Sequence, residues 1–77
     1  MTDGSNRVVR IGSQVRIADA HGEDEFKLVG PDEADPSASR VSVDSPLGGA
    51  LLGHVAGDRV NFRAPGGIMS ATVLAVR

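Results

Sequence analysis

Apolar and polar positions alternate with a period of two over most of this chain. From Gln14 to Ala18, Val15 and Ile17 point one way and Arg16 the other, which predicts a half-buried strand. Asp19-Ala20-His21-Gly22 reads as a turn, with Gly22 free to take a positive φ. Glu25 to Val29 then returns with Phe26 and Leu28 on one face, so the two segments predict a hairpin. Val8 to Ile11 is apolar enough to begin the fold. Met1 to Asn6 is polar and carries a glycine, so a flexible tail is expected over residues 1–7 and one domain over 8–77.

The pattern breaks at Gly30-Pro31-Asp32-Glu33-Ala34-Asp35-Pro36, where two prolines and a glycine predict an irregular loop. Arg40 to Val43 reads as a third strand. Ser45-Pro46 then opens a helix of about two turns, with serine at the cap and proline at the first helical position. The helix is expected to run to Leu52, with Gly53 ending it. Gly48 and Gly49 each cost a helix interior about 1 kcal/mol relative to alanine. Packing of Leu47 and Leu51, spaced i and i+4, must hold it against the sheet. Arg59 to Ala64 alternates Val60 and Phe62 with Asn61 and Arg63. Pro65-Gly66-Gly67 turns the chain, and Ile68 to Val76 forms the last strand. Val73 to Val76 is apolar at every position, so the pattern does not decide which of them face inward. The sum is an α+β domain: four to five mostly antiparallel strands and one short helix.

Composition narrows the function. A chain of 77 residues buries about 60% of its unfolded surface and sits near the lower size limit for folding alone. It has no cysteine, so neither disulfides nor thiolate-bound zinc can brace it. No signal peptide and no membrane span is visible, and a reducing, cytoplasmic setting is expected. The net charge is −2, without the positive excess of a dedicated nucleic-acid binder. Phe26 and Phe62 are the only aromatics, which removes base-stacking platforms and most aromatic-lined pockets.

The residues that could carry chemistry are few. Glu23-Asp24-Glu25 and Asp32-Glu33-Asp35 do not follow the calcium-loop spacing and read as solvated loop charge. His21 and His54 stand far apart with no partner at zinc-ligand spacing, so neither a metal nor another cofactor is expected. Ser45, His54 and Asp58 formally make a hydrolytic set, but a capping serine has its oxygen committed to backbone N–H groups. Neither Gly48-Gly49 nor Pro65-Gly66-Gly67 has the lysine of a phosphate loop. No catalytic residue is assigned. Asp44-Ser45-Pro46 remains as a capped, rigid corner that could serve as a docking surface at little entropic cost.

Five pieces of the chain resemble, in order, the C-terminal domain of the Gre family of bacterial transcript-cleavage factors. They are Ile11-Gly12-Ser13, the run Leu28 to Asp35, and Val41 to Leu47 with Ala50-Leu51-Leu52-Gly53. Gly57-Asp58-Arg59-Val60 and Ala64-Pro65-Gly66-Gly67 complete the set. The resemblance implies an FKBP-like fold, an antiparallel curved sheet packed on one short helix. It also implies docking on bacterial RNA polymerase at the rim of the secondary channel, with Asp44, Ser45 and Pro46 as contact residues. The family's N-terminal helical hairpin, whose acidic tip holds the catalytic magnesium, has no counterpart in these residues. Regulation of elongation without transcript cleavage is therefore expected. The family's basic residue within the helix is replaced by Gly49, and a lysine that follows the helix is replaced around Gly53-His54. A non-enzymatic interaction domain is the reading, with no direct nucleic-acid binding by this domain. The alternatives are an FKBP-type peptidyl-prolyl isomerase, which the scarcity of aromatics opposes, and a self-associating module, since open sheet edges pair readily.

Overall fold

The computed structural model of the protein describes residues 7–77. Of the expected tail, residues 1–6 lie outside the described residues, and Arg7 is exposed. Strands β1 (Gln14–Asp19), β2 (Gly22–Val29), β3 (Arg40–Ser42), β4 (Arg59–Ala64) and β5 (Gly67–Val76) form one sheet in the order β3-β2-β1-β5-β4. Helix α1 (Pro46–Leu51) lies between β3 and β4 in sequence. The two hairpins are tight: Asp19 pairs with Gly22, and Ala64 with Gly67.

One pairing departs from the antiparallel expectation. β3 runs parallel to β2, with Lys27 opposite Arg40 and Val29 opposite Ser42, so the sheet is mixed. The cause lies in the loop between them. Short 3-10 turns at Pro31–Glu33 and Pro36–Ala38 carry the chain back to the level of Lys27 instead of letting it hairpin. Single turns of this kind tolerate proline, although the two prolines and the glycine predicted an irregular loop there. The Ser37 hydroxyl and N–H both donate to Asp35 Oδ1, at 2.7 and 3.1 Å, and hold that carboxyl below its ordinary pKa.

The last strand shows why the sequence left its inward face open. Arg16 pairs with Ala75 but Ile17 pairs with Val73, so Leu74 is an extra residue, a bulge. Val73 and Val76 are therefore both buried although three residues apart, and Leu74 is 40% exposed. A strict period of two cannot produce that.

The core is built from one face of each long strand. Val15, Ile17, Phe26, Leu28, Val60, Ala71, Val73 and Val76 are buried against Leu51 of the helix. Val9 joins them, held in place because its N–H donates to the His54 carbonyl at 2.8 Å and its carbonyl accepts from Gly53 N–H at 2.9 Å. Val41, Val43, Leu47, Ala50 and Phe62 are partly buried at the margin.

Candidate functional site

The corner between β3 and α1 is locked by serines. The Ser42 carbonyl accepts from both the Ser45 N–H, at 3.0 Å, and the Ser45 hydroxyl, at 2.7 Å. The Ser45 oxygen in turn accepts from Gly48 N–H at 3.0 Å, which is the expected helix cap. Ser42 Oγ accepts from Asp44 N–H at 3.0 Å. Pro46 occupies the first helical position. The Ser45 hydroxyl thus spends its one donor and one of its two acceptor positions inside the corner. Asp44 and Pro46 remain exposed.

This locking has a steric condition that the sequence pattern did not reveal. A Cβ on Gly48 would stand 2.9 Å from the Ser42 carbonyl carbon, and nearer still to its oxygen. The helix therefore approaches the end of β3 at a distance only glycine allows. Gly49, one residue on, is exposed, and its Cβ would make ordinary contact with the Val43 carbonyl at 3.4 Å.

Leu47 carries the corner into the concave side of the sheet. There a concavity of about 400 Å³ is walled by Val41, Leu47, Phe62 and Met69, with Ile17 and Phe26 beneath. Asp19 and Asp24 stand along one rim. An apolar floor with a one-sided carboxylate rim suits a partner that is apolar along one stripe and basic beside it. Both phenylalanines of the chain meet this hollow, but Phe26 is only 5% exposed.

Behind the helix, His54 and Asp58 come together as the formal hydrolytic set requires. His54 Nδ1 lies 2.9 Å from Asp58 Oδ2. That carboxyl also accepts from Val55 N–H at 3.1 Å, and Val55 N–H and then the His54 ring hold it below its ordinary pKa. The arrangement closes a turn: Asp58 N–H donates to the Val55 carbonyl, and Gly57 N–H to that of Val73. Ser45 is committed to the cap, so the pair serves the turn and has no nucleophile. Among the described residues no group of three or more histidine and carboxylate side chains is placed to hold a metal. The described residues also include no helix long and apolar enough to cross a membrane.

A family model, described as transcription elongation factor GreA/GreB, C-terminal, matches residues 4–77. This chain belongs to the GreA/GreB family. It is 48% identical to the transcription elongation factor GreA of Thermomicrobium roseum over 77 residues, which cover 99% of this chain and 49% of that protein. It is 43% identical to GreA of Roseiflexus castenholzii, covering 97% of this chain and 49% of the relative. The chain thus spans about half the length of these relatives. Among solved structures, Gfh1 of Thermus aquaticus superposes with a TM-score of 0.83 at 31% identity, covering 100% of this chain and 52% of the other. A GreA/GreB factor of Nitrosomonas europaea gives 0.74 at 31% identity, covering 97% and 62%. The fold and the family implied by the five sequence pieces are therefore the ones found.

Proposed function

We propose that this GreA/GreB C-terminal domain is a non-enzymatic docking module that binds bacterial RNA polymerase at the rim of the secondary channel and so regulates elongation. The observation that carries the reading is the continuity of two features. The exposed Asp44 and Pro46 sit on a corner locked by Ser42 and Ser45, and the next residue, Leu47, walls the apolar concavity. A preformed corner loses little freedom on binding. Asp44 and the rim carboxylates Asp19 and Asp24 favour a basic helical surface on the partner, with an apolar stripe seated in the hollow. Ser45 acts in this picture as a positioning residue, and Asp44 and Pro46 make the contact.

The test is interferometry against purified core RNA polymerase. The wild type is compared with an Asp44→Ala/Pro46→Ala double variant whose fold is checked by thermal melting. Asp44→Ala is expected to lower the on-rate and its dependence on salt, and Pro46→Ala to raise the off-rate. Equal binding by a folded double variant would remove the corner from the interface. No binding by the wild type would remove the polymerase reading for this domain and leave self-association ahead.

A further inference from the structure

The net charge of −2 conceals a segregation of charge. Cross-strand partners share a face of the sheet. At one end of the sheet Arg40 pairs with Lys27, and Lys27 with Gln14. Gln14 and Arg77 exchange both backbone hydrogen bonds, each 2.8 Å. Arg40, Lys27, Gln14 and Arg77 therefore form one row across the outer face. With strands about 4.8 Å apart, the row spans about 14 Å. Arg77 also lines a concavity of about 290 Å³ together with Arg7 and Arg10, and no carboxylate side chain lines it. All five of these cations are exposed.

Several of the carboxylates lie away from the row. Asp19, Glu23 and Asp24 gather at the β1–β2 turn, and the five steps of β1 from Gln14 to Asp19 extend about 16 Å. That exceeds a Debye length of about 8 Å at physiological salt, so their field is largely screened at the row. Glu25 is nearer: it shares the outer face with Lys27, and the Arg16 guanidinium is engaged by Glu23 at 3.2 Å, so Glu25 offsets Lys27 in part. Asp35 lies beside Arg40 and offsets it in part, as Glu25 does Lys27, which leaves Arg77 and Arg10 as the strongest part of the strip.

We propose that this strip binds the phosphate backbone of single-stranded nucleic acid. A guanidinium fork matches a phosphate, and cations in a line match a chain of phosphates better than a single anion. Both aromatics lie on the opposite, concave side, so no base can stack on the strip and binding is independent of sequence. The strip faces away from the concavity, so it stays open when the concave side is occupied, and the inference does not depend on the polymerase reading.

The test is fluorescence anisotropy of a labelled oligothymidylate against this chain in a salt series. Saturable binding is expected at about 100 mM salt, where a Debye length of about 10 Å still screens the turn carboxylates, with a log–log slope of about −2, the value for three phosphates at about −0.7 each on a single strand. Lys27→Glu/Arg77→Glu should weaken binding by about tenfold or more. Lys27→Gln/Arg77→Gln should weaken it less, and its melting temperature, read beside the wild type's, shows that the fold persists. Arg59→Glu/Arg63→Glu, on the far strand β4, should bind as the wild type does. Absence of saturable binding at that salt, an equal loss in the β4 variant, or unchanged binding by the folded Lys27/Arg77 variants would overturn the proposal. So would competition by polyglutamate or by inorganic phosphate that matches the oligonucleotide charge for charge.

Discussion

Two adjacent glycines in α1 should respond to alanine in opposite directions. On helix propensity alone each Gly→Ala change gains about 1 kcal/mol. At Gly48 the new methyl group would overlap the Ser42 carbonyl, with 2.9 Å to its carbon and less to its oxygen. That carbonyl is backbone, and it also accepts both Ser45 donors, so it cannot rotate aside. Overpacking of this kind costs typically 1–3 kcal/mol, occasionally more, and the overlap here is severe enough to place it at or above the upper end of that range. The propensity gain does not cover it, so Gly48→Ala should lose about 2 kcal/mol or more net. At Gly49 the methyl group meets only the Val43 carbonyl at 3.4 Å, and the side is solvent-exposed. Gly49→Ala should therefore gain about 0.4–1 kcal/mol, partly by restricting the unfolded chain. In a domain of this size 1 kcal/mol shifts the melting temperature by about 4–8 °C, so the two variants should fall on opposite sides of the wild type. Urea melts with the slope checked for constancy give the free energies. A Gly48→Ala protein as stable as the wild type would refute the close approach of helix and strand. A loss at Gly49 as large as that at Gly48 would refute the assignment of which glycine faces the sheet.

Other outcomes follow from the same corner and its turn. Leu51 is fully buried, so Leu51→Ala should cost about 2–5 kcal/mol, against about 1 kcal/mol for the Ser45→Ala cap loss; thermal or urea melts reversing that order would misplace the helix. Asp58 has its folded-state pKa lowered by Val55 N–H and the His54 ring, so its contribution is complete above the ordinary carboxylate value of about 3.9 and is lost as pH falls through the folded value. Asp58→Asn should therefore flatten the acid limb of a stability–pH curve while leaving its neutral-to-mildly-acidic shape alone. Gly49→Arg restores a basic residue of the kind the family resemblance places in the helix, and it should slow dissociation from core polymerase in interferometry. The chain should not accelerate X-Pro isomerisation in a protease-coupled assay, since Phe62 is the one aromatic on an open wall of the concavity.

The elements were legible where the chain obeys one period. β1, β4 and the hairpin turns read directly from alternation and from Gly22 and Gly67. The capped helix start read from Ser45-Pro46, because capping is a local event between residues close in sequence. Three features were not legible, and each depends on contacts between residues distant in the chain. The parallel pairing of β3 comes from how the 30–39 loop folds back, which alternation within β3 does not encode. The bulge at Leu74 depends on the register against β1. The need for glycine at position 48 depends on the end of β3. In the sequence that glycine registers only as a cost to the helix.

Asp44, Ser45 and Pro46 show the same division at the candidate site. The sequence identified the corner, but it could not apportion the three residues, because that requires knowing where the Ser45 hydroxyl goes. It goes to the Ser42 carbonyl and to Gly48 N–H, so the serine sets the geometry and Asp44 and Pro46 are left exposed. The adjoining concavity was not foreseen, since Val41, Leu47, Phe62 and Met69 come from four separate elements, and each reads alone as an ordinary core position. Net charge misleads for a related reason. A sum over the chain carries no positions, whereas screening confines each charge to its surroundings within about a Debye length. In this domain, charge bears on partners only after register is known, when Lys27, Arg40 and Arg77 fall into one row and the carboxylates of the β1–β2 turn fall at the other end.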